Sequence, residues 1–304
     1  IAFFFTQGFA AGLLMVLFDR VIGTSFFGAA HGGSALLYEH VFWFYSHPAV
    51  YVMVLPAFGA VLEILSHMSR KPLYAYKWVV GAMLGIVALS GVVWAHHMFT
   101  SGMADYLHAP FLVLTELISI PTGVIFLCAL GTIWMGRLWL KTPMLFGLMF
   151  IFNFTIGGLT GIYLADVPTD LHLHDTYFVV AHFHYIMVGG AIMAYMGGLH
   201  FWWPKMTGRM YSEPLAKAAA VLIFIGFNLT FFPQFVVGYM GMPRRYHVYP
   251  PEFQVFNVLS SGGAMVLAIG YALPAFYLLW SLKHGAKAGA NPWKATGLEW
   301  TTQS

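Results

Sequence analysis

Eight apolar runs near residues 1–18, 41–66, 76–99, 111–135, 144–164, 176–203, 215–239 and 256–281 leave this chain few ways to fold. Each is about 18–28 residues long and holds few or no charges, so each reads as a helix long enough to cross a bilayer. Charged residues make up only 8% of the 304-residue sequence, against roughly 25% in soluble domains. The expected fold is therefore an all-α, polytopic membrane helix bundle with about eight transmembrane helices. Every connection is short, so residues 1–304 form a single membrane domain with no soluble module between spans. The chain opens inside a hydrophobic run with no charged n-region, which reads as the later part of a longer protein rather than a signal peptide.

Charge distribution orients the spans. Arg70, Lys71 and Lys77 follow the second, Arg137 and Lys141 the fourth, and Lys205, Arg209 and Lys217 the sixth; Lys283, Lys287 and Lys294 lie in the tail. The opposite connections hold only Arg20, Arg244 and Arg245 among basic residues, together with Asp19, Glu39, Asp105, Asp166, Asp170, Asp175 and Glu252. The positive-inside rule makes the basic face cytoplasmic and the acidic face outer. A net charge of +3 with no basic tract gives no reason to expect a nucleic-acid partner. The one cysteine, Cys128, excludes a disulfide within the chain and disfavours a thiolate metal site.

In that frame the histidines gather at one depth. His47 lies a few residues into the second span, His96 and His97 close the third, and His182 and His184 lie in the sixth, all toward the outer face. Imidazoles within a membrane are costly without partners, and metals are common partners. A single such histidine is more often a packing residue; five at one depth reverse the odds. His96 and His97, about 100° apart on a helix, can lean toward one ion that His47 completes, a set that suits copper, zinc or iron. His182 and His184, about 200° apart, point to opposite faces and can each hold a haem iron. Tyr51 stands one turn from His47 as a candidate proton and electron donor.

These residues lie in Trp43-Phe44-Tyr45-Ser46-His47-Pro48-Ala49-Val50-Tyr51, Trp94-Ala95-His96-His97-Met98-Phe99-Thr100, Leu173 to Tyr185 (LHDTYFVVAHFHY) and Gly241-Met242-Pro243-Arg244-Arg245-Tyr246. In order and spacing the strings resemble the catalytic subunit of the haem-copper oxygen reductases, the cytochrome c and quinol oxidases. The resemblance runs from Asp19-Arg20 to about Trp280 and corresponds to the family's fifth to twelfth helices. It implies a copper held by His47, His96 and His97, with His182 axial to the high-spin haem facing that copper and His184 axial to a low-spin haem. It implies that Tyr51 is cross-linked to His47 and supplies an electron and a proton for O–O cleavage. His174 and Asp175 would hold magnesium, Arg244 and Arg245 would pair with haem propionates near Asp170, and Trp43 would border the cofactors. The implied cofactors are two haems of type a or a related type, copper and magnesium. The implied partners are O2, further oxidase subunits including a copper-bearing second subunit, cytochrome c as electron donor, and the lipid bilayer of a bacterial-type inner membrane.

Two departures concern protons. Where many family members have a glutamate two residues after the copper histidine, this chain has Ala49; Tyr45 and Ser46 resemble the subgroup with a Tyr-Ser-His-Pro string, and Tyr45 would replace the carboxylate through water. The lysine and serine of a second path are replaced by Ile125 and Leu62, while Thr122 remains. Glu63 offers an alternative uptake point, and Glu116 is a further carboxylate within a span. Competing readings are a nitric-oxide reductase of the same superfamily and a redox-inactive dihaem electron-transfer subunit.

Overall fold

The computed structural model describes residues 2–302, and among them helix is the only extended secondary structure. The helices are α1 (Ala2–Val21), α2 (Ala35–Ser69), α3 (Tyr76–Ser90), α4 (His108–Leu117), α5 (Ser119–Ile133), α6 (Thr142–Ala165), α7 (Val167–Leu173), α8 (Tyr177–Ile186), α9 (Met193–Thr207), α10 (Glu213–Tyr239) and α11 (Gln254–His284). Six helical segments among the described residues are long and apolar enough to cross a membrane: Ala35–Ser69, Asp105–Ile133, Thr142–Ala165, Tyr177–Thr207, Glu213–Tyr239 and Pro251–His284. The chain is an all-α polytopic integral membrane protein.

The third expected span is corrected. Its helix stops at Ser90 after 15 residues, about 22 Å of helix against a hydrocarbon core of about 30 Å. A separate 3-10 turn, Trp94–Met98, follows and carries His96 and His97. The fourth expected span is interrupted at Ile118, between α4 and α5. Pro121 has no N–H for the Leu117 carbonyl. One residue on, the Thr122 amide reaches the Ile118 carbonyl only at 3.5 Å, while its hydroxyl donates to the same oxygen at 2.9 Å. The first expected span falls on the 20-residue α1.

Two compact units are distinguished. The first comprises residues 1–55, 77–125 and 161–174. Its core gathers Ala95, Met98, Phe99, Met103 and Phe111, with Leu36, Trp43 and Trp94 packed against them. With three residues per 3-10 turn, Ala95 and Met98 fall on one side and bury completely. His96 and His97 are thereby turned away from that anchor.

The second unit comprises residues 56–76, 126–160 and 175–304. Within it, α10 lies against α8 and α11. The α10–α11 contact is reciprocal: a Cβ on Gly226 would press on the Leu267 backbone, and one on Gly263 on the backbone of Leu229 and Thr230. Such close approach by small residues is how helices gain packing where lipid offers no hydrophobic drive. Between α8 and α9 the backbone loosens into a π-helical stretch, Met187–Ile192, immediately after the histidine-bearing turns. The tail is anchored by Trp293, whose indole donates to the Phe201 carbonyl at 2.6 Å, and by the Thr296 amide, which donates to His67 Nε2 at 2.9 Å.

Candidate metal and haem-ligand site

Three imidazoles from two elements of the first unit converge. The ligand atoms of His47, His96 and His97 lie within 4.8 Å of one another, and no other group of three or more metal-ligating side chains does so among the described residues. His97 Nε2 is 3.1 Å from His47 Nδ1 and 3.1 Å from His96 Nε2. An ion bonded at about 2.0 Å spreads tetrahedral or trigonal nitrogens about 3.3–3.5 Å apart. Those two separations are within a few tenths of an ångström of that spacing, and the all-nitrogen donor set suits copper, zinc or iron.

The surroundings of the triad hold its rings in place. The Thr115 hydroxyl donates to the Phe111 carbonyl at 2.5 Å, so it offers a lone pair to His96 Nδ1, 3.1 Å away. His96 therefore carries its proton on Nδ1 and turns an unprotonated Nε2 to the cluster, the arrangement metal-binding histidines need. His97 lies flat on Trp43, with ring centroids 3.8 Å apart and planes 15° from parallel. Trp94 donates its indole N–H to His40 Nδ1 at 3.2 Å and packs edge-on against Phe111. Tyr51 stands one turn along α2 from His47, ring centroids 4.7 Å apart. The sequence pointed to His47, His96, His97 and Tyr51 as neighbours, whereas Thr115 carried no signal. Its role depends on α4 passing the 3-10 turn, a contact without periodicity in the chain.

In the second unit His182 and His184 pack against different helices. His182 Nδ1 donates to the Gly157 carbonyl of α6 at 3.0 Å, with Thr160 Oγ1 also near at 3.2 Å. His184 lies on Phe231 of α10, centroids 4.0 Å apart, and its Nδ1 donates to the Val180 carbonyl at 2.8 Å. Both imidazoles thus have Nδ1–H engaged by a carbonyl, which leaves each Nε2 as an unprotonated ligand atom. That donor chemistry fits axial ligation of haem. Gly157 makes the α6 contact possible: a Cβ there would sit 2.9 Å from Ile186 Cδ1 and 3.1 Å from the backbone of Tyr185 and Ile186.

The polar residues assigned to the outer side have partners of their own. Asp170 is buried and pairs with His174, Oδ2 to Nδ1 at 3.0 Å. Arg244 grips Asp175 with Nη2 and Nε, at 2.5 and 2.7 Å from Oδ1, and its backbone N–H donates to the Asp175 carbonyl at 2.8 Å. Arg245 is exposed and reaches the same carboxylate oxygen only at 3.8 Å. Asp175 and Arg245 both adopt left-handed backbone, φ 57° and 71°, which folds this polar corner back on itself.

The proton-relay positions divide. Tyr45 packs against Phe9, ring centroids 5.2 Å apart, and Ser46 is half-buried next to His47. Thr122 donates its hydroxyl within its own helix, at the Pro121 break. Ile125 and Leu62 are both packed into apolar core. Glu63 is partly exposed and pairs with His67, Oε1 to Nδ1 at 3.3 Å.

Comparison with known proteins gives one consistent result. The family model for cytochrome c and quinol oxidase polypeptide I matches residues 1–266. Cytochrome c oxidase subunit 1 of Synechocystis sp. is 48% identical over 98% of this chain and 54% of its own length. The corresponding subunits of Bacillus subtilis and Cereibacter sphaeroides are each 44% identical, over 96% and 97% of this chain and 48% and 53% of their own. The chain thus spans about half the length of the curated relatives it matches. A cryo-EM structure of a heme-copper terminal oxidase dimer shares the fold, with TM-score 0.76 and 23% identity over 86% of this chain and 51% of its own.

Proposed function

The chain belongs to the cytochrome c and quinol oxidase polypeptide I family, and from that premise we propose that it supplies the catalytic subunit of a terminal respiratory oxidase reducing O2 to water. The observation that carries the proposal is the convergence of His47, His96 and His97 with Tyr51 one turn away. His47 Nδ1, His96 Nε2 and His97 Nε2 would hold copper; His182 would ligate the high-spin haem and His184 the low-spin haem, of type a or a related type. Bound together, iron and copper would supply the redox chemistry that reduces O2.

The chain's own residues prepare that chemistry. Thr115 holds the His96 tautomer, and Trp43 holds the His97 plane. Tyr51 would hold the proton and electron donated during O–O cleavage, a role favoured by its place against His47. It also argues for oxygen reduction over nitric-oxide reduction. Arg244, Arg245 and Asp170 would border haem propionates, and His174 with Asp175 would hold magnesium once Asp170 and Arg244 share them.

Protons would come from the basic, cytoplasmic face. Ile125 and Leu62, packed as apolar core, argue against the lysine-type route even though Thr122 remains. Tyr45 and Ser46 are favoured as the relay beside His47, coupled to pumping. The complete protein would sit in a bacterial-type inner membrane with further subunits, one of them copper-bearing, and take electrons from cytochrome c.

The test is metal analysis, reduced-minus-oxidised spectra with and without CO, and product analysis on the complete complex. Copper, two haems and water from O2 are expected. Non-haem iron with N2O formed from NO, or absence of both copper and CO binding, would overturn the proposal.

A further inference from the structure

A second oxygen flanks the His182 imidazole beside the Gly157 carbonyl. Thr160 Oγ1 stands 3.2 Å from His182 Nδ1, 2.9 Å from the Ile156 carbonyl and 2.9 Å from the Gly157 carbonyl. The imidazole has one Nδ1–H and two oxygen acceptors beside it, Gly157 O at 3.0 Å and the threonine hydroxyl. The hydroxyl hydrogen has its ordinary helical acceptor four residues back, at Ile156. When it points there, a lone pair faces the His182 N–H, and the proton is shared between the two oxygens.

We propose that Thr160 is a positioning residue that sets how strongly His182 donates to the haem iron. An imidazole whose Nδ1–H is more strongly accepted has more anionic character and is a more basic ligand. It strengthens the bond from Nε2 to iron and favours the oxidised metal. The Gly157 carbonyl is a backbone group held by α6; Thr160 is the side chain that adds to it. The arrangement is local to α6 and α8 and depends on the absent Cβ of Gly157. The proposal rests on the reading of His182 as the axial ligand.

The test uses Thr160→Val and Thr160→Ser in the assembled, haem-loaded oxidase complex. Valine keeps the branched shape and removes the acceptor; serine keeps the hydroxyl. The readouts are the iron–histidine stretching frequency of the reduced high-spin haem by resonance Raman and its midpoint potential. For Thr160→Val a downshifted frequency and a raised potential are expected at unchanged haem content, with Thr160→Ser restoring both toward the parent. A frequency that is unchanged or raised in Thr160→Val, with haem bound, would overturn the proposal. His182→Ala separates this result from failure of the ligand assignment. Retention of a CO-binding high-spin haem in that variant would remove the assignment itself.

Discussion

Thr115→Val gives the sharpest test of the copper reading. The substitution preserves side-chain shape and deletes one oxygen, the acceptor 3.1 Å from His96 Nδ1. The lost hydroxyl also donated to the Phe111 carbonyl at 2.5 Å, within the same helix. His96 is half-buried in the cluster, so its Nδ1–H would be left without that acceptor. Two consequences follow. The ring can turn, and the proton can move to Nε2, where it would block the metal. Loss of such an orienting partner typically lowers metal affinity about 10–100-fold, which is about 1.4–2.7 kcal/mol. The assay is copper retention in the solubilised complex under graded chelator competition, read beside haem content as an internal control. A leftward shift of the copper-loss curve by one to two decades of chelator is expected, with haem content unchanged. Thr115→Ser, which keeps the acceptor, should retain most of the parent affinity. If Thr115→Val holds copper as tightly as the parent protein, the tautomer argument fails, and with it the claim that α4 prepares the site.

Three more expectations follow from the same geometry. Gly157→Ala should destabilise the protein by about 1–3 kcal/mol through overpacking, because two of the three nearest atoms are backbone of α8; thermal unfolding and CO-difference spectra would read lowered stability and perturbed high-spin haem, and a wild-type profile would contradict the close-approach argument. Tyr51→Phe should leave copper and haem content intact while lowering oxygen consumption by orders of magnitude, so near-normal turnover would show that the phenol is dispensable. Tyr45→Phe should slow proton uptake coupled to turnover, measured in reconstituted vesicles, and unaltered coupling would remove Tyr45 from the relay.

Much of the site was legible in the chain because its chemistry is expensive to place in lipid. An imidazole within a membrane is disfavoured without a partner, so His47, His96, His97, His182 and His184 already stood out in the sequence as candidate ligands, and the fold brings the first three together. That His182 and His184 point apart also followed from a residue count, since two steps of a helix turn about 200°; the two rings meet different helices, α6 and α10. Other features were not legible. Treating residues 76–99 as one helix failed because apolar composition does not distinguish a helix from a buried 3-10 turn. The turn exists because Ala95 and Met98 find a core to bury in. The hydroxyls of Thr115 and Thr160 are indistinguishable in sequence from those of the chain's other threonines until another helix brings an imidazole to them.

Composition and periodicity alone determined that this is a helical membrane protein and singled out His47, His96 and His97, the imidazoles the fold brings together. The reason is that lipid penalises every charge and unpaired polar group along the chain, wherever it lies. Only tertiary structure decided which ring nitrogen of His96 and of His182 carries the proton. That choice is made at Nδ1 of His96 and His182 by oxygens distant in sequence, delivered by helix packing that no local pattern encodes.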